Sequence, residues 1–529
     1  MAPSVEMSAA RSLGDVARIN AAARPDRTAF EFEGRVTSFA ALDRRTNQVA
    51  NGLSALGLKA GDRIAWLGKN ADAYFEVLFG AAKAGIVMAP INWRLAGPEI
   101  RYIVADAGAR ALFVGPEFLD LARTLLPDFG HPVAVIATEG GAPEWPDYTG
   151  WRDGQSAIDP MTPVAWEDVA IQLYTSGTTG HPKGAMLAHR AILGSQIADR
   201  TADPPWSRWS PDDVSLVAMP VFHIGGTGWG IIGLVNGAKG VIAREFDPGK
   251  VLDFIENHRI SKMFMVPAAM QIVVRDPRAR EVDFSCLKYL LYGASPIPLD
   301  LLKECMEVFG CGFVQMYGMT ETCGTIVALP PEDHDPAGNA RMRSAGKALP
   351  GVEIAVIDEA GAPVPAGTVG EIASRSVRNM TGYWNLAEAT ANTIDASGWL
   401  RTGDAGYLDA DGYVFIHDRV KDMIITGGEN VYPAEVENAI FGHPDVADVA
   451  VIGVPDPKWG EAVKAMVVRK AGADPSAADI IGWARERIAG FKTPKSVDFI
   501  DALPRNASGK ILRRQLREPF WAGRERRVG

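Results

Sequence analysis

Short apolar runs alternate with helix-periodic segments from the first 90 residues onward, and this alternation restricts the fold more than any other feature. "ALDRRTNQVANGLSALG" carries apolar positions at helical spacing and stops at Gly57. "DRIAWLG" reads as a buried strand, "AYFEVLFGAAKAG" as a helix ending at Gly85, and "GIVMAPIN" as the next strand. Strands alternating with helices predict a parallel sheet covered on both faces. The pattern returns in "RISKMFMVPA", "CLKYLLYGAS", "LDLLKECMEVFG" and "GFVQMYG".

From about Gly351 the texture changes. "VEIAVID", "GEIASRS", "GYLDADGYVFIHDR" and "DMIITGG" read as short strands joined by Gly and Asp turns, which predicts a β subdomain over about 340–420. Beyond Lys421, "AEVENAIFG" and "DIIGWARERIAG" read as helices. "VADVAVIGV" and "AVKAMVVRK" alternate like half-exposed strands, and "SVDFID" reads as a last strand. The fold class expected is α/β. A large N-terminal domain of parallel α/β sheets with a β subdomain covers 1–420, and a small α+β C-terminal domain covers 421–529. The arginine-rich stretch after Ile511 reads as a solvated helix face.

Composition narrows the function classes. A net charge of −10 argues against a nucleic-acid binder, which needs a basic face. Cys286, Cys305, Cys311 and Cys323 form no CxxC pair and have no nearby histidine at metal-site spacing, so reduced structural thiols are expected. The N-terminus has no apolar core of signal-peptide length, and no stretch nears the roughly 20 apolar residues of a membrane helix. A cytoplasmic location is expected.

"YTSGTTGHPKGAML" follows the apolar run "VAIQLY". Glycines let backbone N–H groups converge, hydroxyls add donors, and Lys183 adds charge. Between a strand and a helix such a loop makes a nest for phosphate oxygens. It is not the GxxxxGK[ST] loop, because Gly177 and Gly180 stand too close and Gly184 follows Lys183. The whole string resembles the phosphate-loop signature of the adenylate-forming (ANL) superfamily, which holds acyl-CoA synthetases, firefly-type luciferases and peptide-synthetase adenylation domains. Further signatures follow in order: "YGASPIP", "YGMTE", "GWLRTGDAGYLDADGY", "DRVKDMIITGGENVYPAEVE" and "LPRNASGKILRR". The resemblance runs from about Ser12 to about Gln515.

The resemblance implies a reaction in two halves. A carboxylate attacks the α-phosphate of ATP to give acyl-AMP and pyrophosphate, and a thiol then takes the acyl group and releases AMP. It assigns Thr175, Ser176, Gly177, Thr178, Thr179, Gly180 and Lys183 to the phosphates. Gly293, Ala294 and Ser295 would lie along the adenine, Tyr317 would stack on it, and Gly318 belongs to the same segment. Thr320 would bond the α-phosphate, and Glu321, with Thr178, would meet Mg2+. Asp404 and Arg419 would hold the ribose, and Lys421 would be the hinge of a mobile C-terminal domain. Lys510 would clamp the attacking carboxylate and the α-phosphate. Lys510 must then swing away, so that "GGEN", including Gly428, Glu429 and Asn430, faces the site in the second half-reaction.

The chain ends 19 residues after Lys510, which leaves no room for a carrier domain and favours coenzyme A as the thiol. Trp459, Phe491 and Lys495 resemble CoA-contacting positions. Ordinary packing is the other reading of the two aromatics. Some relatives carry a basic residue where this chain has Thr493. "MPVFHIGGTGWGIIGLVNGAKGV" resembles the acyl-pocket segment, and it lacks the Asp with which amino-acid-activating relatives pair an ammonium. His223 reads either as a satisfied core histidine or as a catalytic residue where acyl pocket and thiol tunnel meet; the family context favours the second. Gly225, Gly226 and Gly228 would leave room for an apolar chain, with Trp229 as a cap. His223, Thr227, Val266, Gly293 and Met316 complete the expected pocket, and Met263, Phe264 and Met265 add apolar wall. A medium- or long-chain fatty acid is expected. A ring-containing acid is the runner-up, and a short or thioether acid is a further alternative. A fatty acyl-AMP ligase loading a carrier protein is the rival activity. The resemblance suggests a homodimer and leaves peripheral membrane contact open.

Overall fold

The helix Asp72–Lys83 is buried at all twelve positions. Its apolar residues cover most of its surface, and its Asp72, Glu76 and Lys83 are buried in ion pairs with Arg35, with Arg45 and Arg152, and with Asp43, so it lies inside a domain. It packs between the strand Thr28–Phe32 of one large sheet and the strand Val87–Pro90 of another. In the computed structural model residues 7–175, 182–202, 204–419, 422–426, 429–506 and 509–522 are described, without the side chains of 195, 197–202, 418 and 419. The expected boundary at 420 and 421 falls outside them.

The first large sheet has nine strands and the second seven. In the first, Gly312–Met319, Tyr289–Gly293, Lys262–Met265, Val214–Val217, Lys239–Ile242 and Thr28–Phe32 run parallel in that order. In the second, Val169–Thr175, Val87–Pro90, Arg63–Leu67, Ala109–Val114 and Ala134–Ala137 do so. The α/β expectation holds. In open sheets of this kind ligands bind beyond the carboxyl ends of the strands. Those ends carry Phe222–His223, Val266, Gly293–Ser295 and Met319–Glu321 on neighbouring strands of the first sheet.

A four-stranded antiparallel sheet, Val352–Ile357, Gly370–Ser376, Leu400–Leu408 and Val414–Arg419, forms the expected β subdomain. "DMIITGG" does not join it. Its strand Ile424–Thr426 pairs with Glu429–Val431 and meets Gly460–Arg469, in the last sheet. The strands Val446–Asp456 and Gly460–Arg469 are not half-exposed. Val449, Val451 and Val463 face one cluster with Ile440 and Ile480, while Ala450, Ile452 and Met466 face another with Leu516. The helix Arg513–Trp521 covers that second face, so the arginine-rich stretch is docked rather than merely solvated. Arg513 pairs with Glu437 and Arg517 with Asp422, and the Trp521 indole donates to the Gly453 carbonyl at 2.9 Å.

Candidate active site

The glycine-rich loop joins two antiparallel strands. Thr175, the last residue of Val169–Thr175, lies opposite Lys183, the first of Lys183–Ala188. The expected helix begins only at His189. Ser176, Gly177, Thr178, Thr179 and Gly180 lie outside the described residues. On the strand before the loop, the Tyr174 hydroxyl donates to Asp106 at 2.6 Å, and the Trp384 indole donates to the Asp106 carbonyl at 2.8 Å.

Tyr383 gathers two expected site residues, and sequence reasoning missed it. Its strand Gly382–Tyr383 lies beside Lys183–Ala188. The Lys183 ammonium stands 5.2 Å from the centre of its ring, and its hydroxyl donates to Glu321 Oε1 at 2.7 Å. Glu321 is buried in the turn Thr320–Thr322, directly after the strand Gly312–Met319, and its carbonyl accepts from the Met380 N–H. The only signal for Tyr383 in the sequence was an aromatic pair after glycine in "TGYW".

The segments expected to meet adenine and ribose also converge. Gly293 lies opposite Met316 in the parallel pair, and a Cβ on Gly293 would stand 2.0 Å from the Met316 carbonyl oxygen. Ala294, next in the chain, holds φ +69. The Tyr317 hydroxyl donates to Asp404 Oδ2 at 2.7 Å. Asp404 is buried and lies opposite Arg419 in the antiparallel pair.

Lys510 reaches this region from the last sheet. It lines a crevice with Ala268, Ser295, Asp448 and Arg505. A Cβ on Gly509 would stand 3.4 Å from Val266 and Ala268 side chains, an ordinary contact. Gly509 therefore lies close to the carboxyl-end rim of the nine-stranded sheet. Among the described residues no group of three or more His, Cys, Asp or Glu gathers to hold a metal. Glu321 alone suits Mg2+, which usually takes one or two carboxylates, substrate phosphates and water.

His223 takes the N-cap position of the helix Ile224–Val235 without a side-chain capping bond. Its Nε2 is buried and meets no hydrogen-bond partner among the described residues. Burial, then the positive charge of Arg94, push its pKa down to about 4, so the ring is neutral near pH 7. This is not a satisfied core histidine. The expected room beside it is partly filled. A Cβ on Gly225 would stand 2.9 Å from the Phe264 ring, and one on Gly226 2.2 Å from the Pro220 carbonyl oxygen. These two glycines permit close packing rather than open a cavity. Thr227 is fully buried, its hydroxyl 2.7 Å from that of Tyr74, so it offers no surface to an acid. The Trp229 indole is pinned to the Leu216 carbonyl at 3.0 Å, with the rings of Trp209 and Phe264 beside it.

Trp459 and Phe491 are 42% and 40% exposed, so neither is ordinary interior packing. Glu429 and Asn430 are exposed in the last sheet, and the Lys495 ammonium donates to the Gly490 carbonyl at 3.4 Å. Thr493 is buried with its hydroxyl on the Ala489 carbonyl, so that position holds nothing toward a phosphate. Gly428 and Lys421 lie outside the described residues. No helix among the described residues is long and apolar enough to cross a membrane.

A model of the AMP-binding enzyme family matches residues 17–384, and one of the AMP-binding enzyme C-terminal domain matches 435–510. The chain belongs to the AMP-binding enzyme family. Within it, the chain is 42% identical to a fatty acid–[acyl-carrier-protein] ligase, ScoC, of Streptomyces coeruleorubidus, over 94% of each chain. It is 40% identical to a feruloyl-CoA synthase of an Amycolatopsis species, over 94% of this chain and 96% of that one. Among solved structures, ATP-bound MatB from Rhodopseudomonas palustris superposes with a TM-score of 0.85 at 33% identity, over 93% of this chain and 96% of MatB. MatB without ligand superposes at 0.75, over 94% and 96%. This AMP-binding enzyme is an acid–thiol ligase of the AMP-forming acyl-CoA synthetase group.

Proposed function

We propose that the chain couples an apolar carboxylic acid to coenzyme A in two steps at one site. A carboxylate oxygen attacks the α-phosphorus of ATP, the bond to the β-phosphate breaks, and acyl-AMP forms as pyrophosphate leaves. The thiol sulfur then attacks the acyl carbonyl, and AMP departs. One observation carries this reading: Lys510, on the part proposed as the C-terminal domain (421–529), lines a crevice with Ser295 of the proposed adenylation domain (1–420). Lys183 and the phosphate loop would hold the leaving pyrophosphate, and Asp404 the ribose. Mg2+ held by Glu321 and the ATP phosphates would offset the charge on the leaving group.

Lys510→Ala is expected to slow adenylation about 10²–10³-fold or more, as loss of one transition-state donor does. Thioester formation from supplied acyl-AMP should survive. Equal loss in both half-reactions would sink the assignment.

Of the acids expected from the sequence, the ring-containing class now has the better support. The Phe264 ring occupies the space beside Gly225, and Trp209 and Trp229 extend the same wall. Flat aromatic surfaces favour a compact ring over a long flexible chain. The medium- or long-chain fatty acid remains the second reading, supported by the ScoC relative, and so does transfer to a carrier protein. The exposed Trp459 and Phe491 favour coenzyme A, whose adenine they could stack. A panel of straight-chain, aryl, alicyclic and thioether acids, with AMP and acyl-CoA both followed, tests all three. Acyl-AMP that never passes to coenzyme A would overturn the thiol assignment. Turnover of dodecanoate but not cinnamate would overturn the ring preference.

A further inference from the structure

The peptide unit that carries Lys510 is held on both sides. Its carbonyl oxygen, on Gly509, accepts from Arg505 Nη1 at 2.7 Å, and its N–H, on Lys510, donates to Asn506 Oδ1 at 2.8 Å. The Asn506 N–H donates back to the Lys510 carbonyl at 2.8 Å and closes the hairpin. A second arm of the same guanidinium, Nη2, donates to Asp448 Oδ2 at 2.7 Å. Asp448 belongs to the largely buried strand Val446–Asp456, and its other oxygen accepts from the Val449 N–H at 3.0 Å. A continuous chain of bonds thus runs from the interior of the last sheet, through one arginine, to the backbone that aims the lysine. Bonds with an ionised partner are about twice as strong as neutral ones.

A peptide with both polar atoms held cannot rotate between its neighbours. Rotation there would swing the Cα–Cβ bond of Lys510 away from the crevice. A displacement of about 1 Å at a catalytic group can cost about 10²-fold in rate. We propose that Arg505 and Asp448 are positioning residues that hold Lys510 in register with the acid and the α-phosphate. This rests on the role given to Lys510 above. Arg505 lines the same crevice, and in this scheme it acts through the Gly509 carbonyl.

The test uses the full chain with Arg505→Met, Arg505→Lys, Lys510→Ala and the Arg505→Met/Lys510→Ala double variant. Adenylation is read as exchange of labelled pyrophosphate into ATP with cinnamate and with dodecanoate. Transfer is read from supplied cinnamoyl-AMP and dodecanoyl-AMP with coenzyme A. Hydrogen–deuterium exchange over 504–512 is read without substrate. Arg505→Met should lower the exchange kcat by about 10–100-fold with the KM for ATP and the transfer rate within about twofold. Arg505→Lys should recover part of the loss, because one ammonium reaches one of the two acceptors. The double variant should be no slower than Lys510→Ala, since residues that act as a unit are not additive. The Lys510 amide should exchange about tenfold faster in Arg505→Met, while amides of Val446–Asp456 and Gly460–Arg469 stay protected.

Full pyrophosphate exchange in Arg505→Met would overturn the proposal. So would equal loss in both half-reactions, a further loss in the double variant, or unchanged deuterium uptake at Lys510. Full adenylation in Lys510→Ala would instead overturn the functional reading beneath, and the deuterium measurement would still judge the clamp alone.

Discussion

At the scale of the residue, one tyrosine shows how expected motifs become a site. The Tyr383 ring lies near Lys183 while its hydroxyl holds one oxygen of Glu321. In the proposed scheme the carboxylate held this way would offer its other oxygen to Mg2+. Tyr383→Phe keeps the ring and removes the donor. We expect it to slow adenylation about tenfold and to raise the Mg2+ concentration needed for half-maximal rate, by analogy with losing one hydrogen bond to a charged group. Calorimetry with Mn2+ and ATP should show weakened metal-dependent binding and unchanged binding of metal-free ATP. Equal weakening of both would mean that Tyr383 merely supports the fold. Its role was not legible in the sequence, because Glu321 lies 62 residues away and Lys183 much further. The expected phosphate loop stood out as a motif for the opposite reason: its glycines, hydroxyls and lysine are contiguous. His223 was legible as a candidate, but its unpartnered, neutral Nε2 depends on burial that only the fold supplies.

At the scale of the element, glycines of similar appearance do different work. A Cβ on Gly318 would stand 1.9 Å from the Gly324 carbonyl oxygen, across the pairing of Gly312–Met319 with Gly324–Leu329. A Cβ on Gly228 would meet only the Ile224 side chain at 3.5 Å. Gly318→Ala should therefore cost about 1–3 kcal/mol or more, as overpacking does. Gly228→Ala should be neutral or stabilising by up to about 1 kcal/mol, because alanine suits a helix interior. Urea unfolding midpoints of the two variants check this; equal shifts would refute it. The same distinction limited the reading of the acyl segment. Gly225 and Gly226 looked like open space because the sequence does not say that Phe264 and the Pro220 carbonyl arrive there. The parallel strands were legible from their short apolar runs. The burial of Val446–Asp456 on both faces was not, because the helix that covers its second face comes more than fifty residues later.

At the scale of the whole molecule, the proposed two-step scheme turns on how the two proposed parts are arranged. Gly509 lies close to Val266 and Ala268, and the chain superposes better on ATP-bound MatB than on MatB without ligand. Gly442, which ends the helix Pro433–Phe441, also approaches the first part of the chain: a Cβ on it would stand 3.1 Å from Asp300 Oδ2. Cysteines at these two positions are the natural choice for a crosslink between the parts, and a disulfide needs their Cβ atoms about 3.5–4.5 Å apart. The chain's own thiols are poor competitors, since burial raises the pKa of all four, to about 12 for Cys311 and Cys323. Oxidised Asp300→Cys/Gly442→Cys should keep pyrophosphate exchange and lose transfer from acyl-AMP, and a reductant should restore it. Transfer that persists with the disulfide formed would refute the need for rotation.

Val266 belongs to two surfaces at once: it carries the Gly509 contact, and it stands where the acyl wall is expected. An acid lying against Val266 changes the ground on which the hairpin lands. By reciprocity, whatever the acid does to docking, docking does to the acid's affinity. Substrate choice and the duration of the closed state are then one equilibrium seen from two sides. A misfitting acid would be rejected by a shortened dwell as much as by a poor grip.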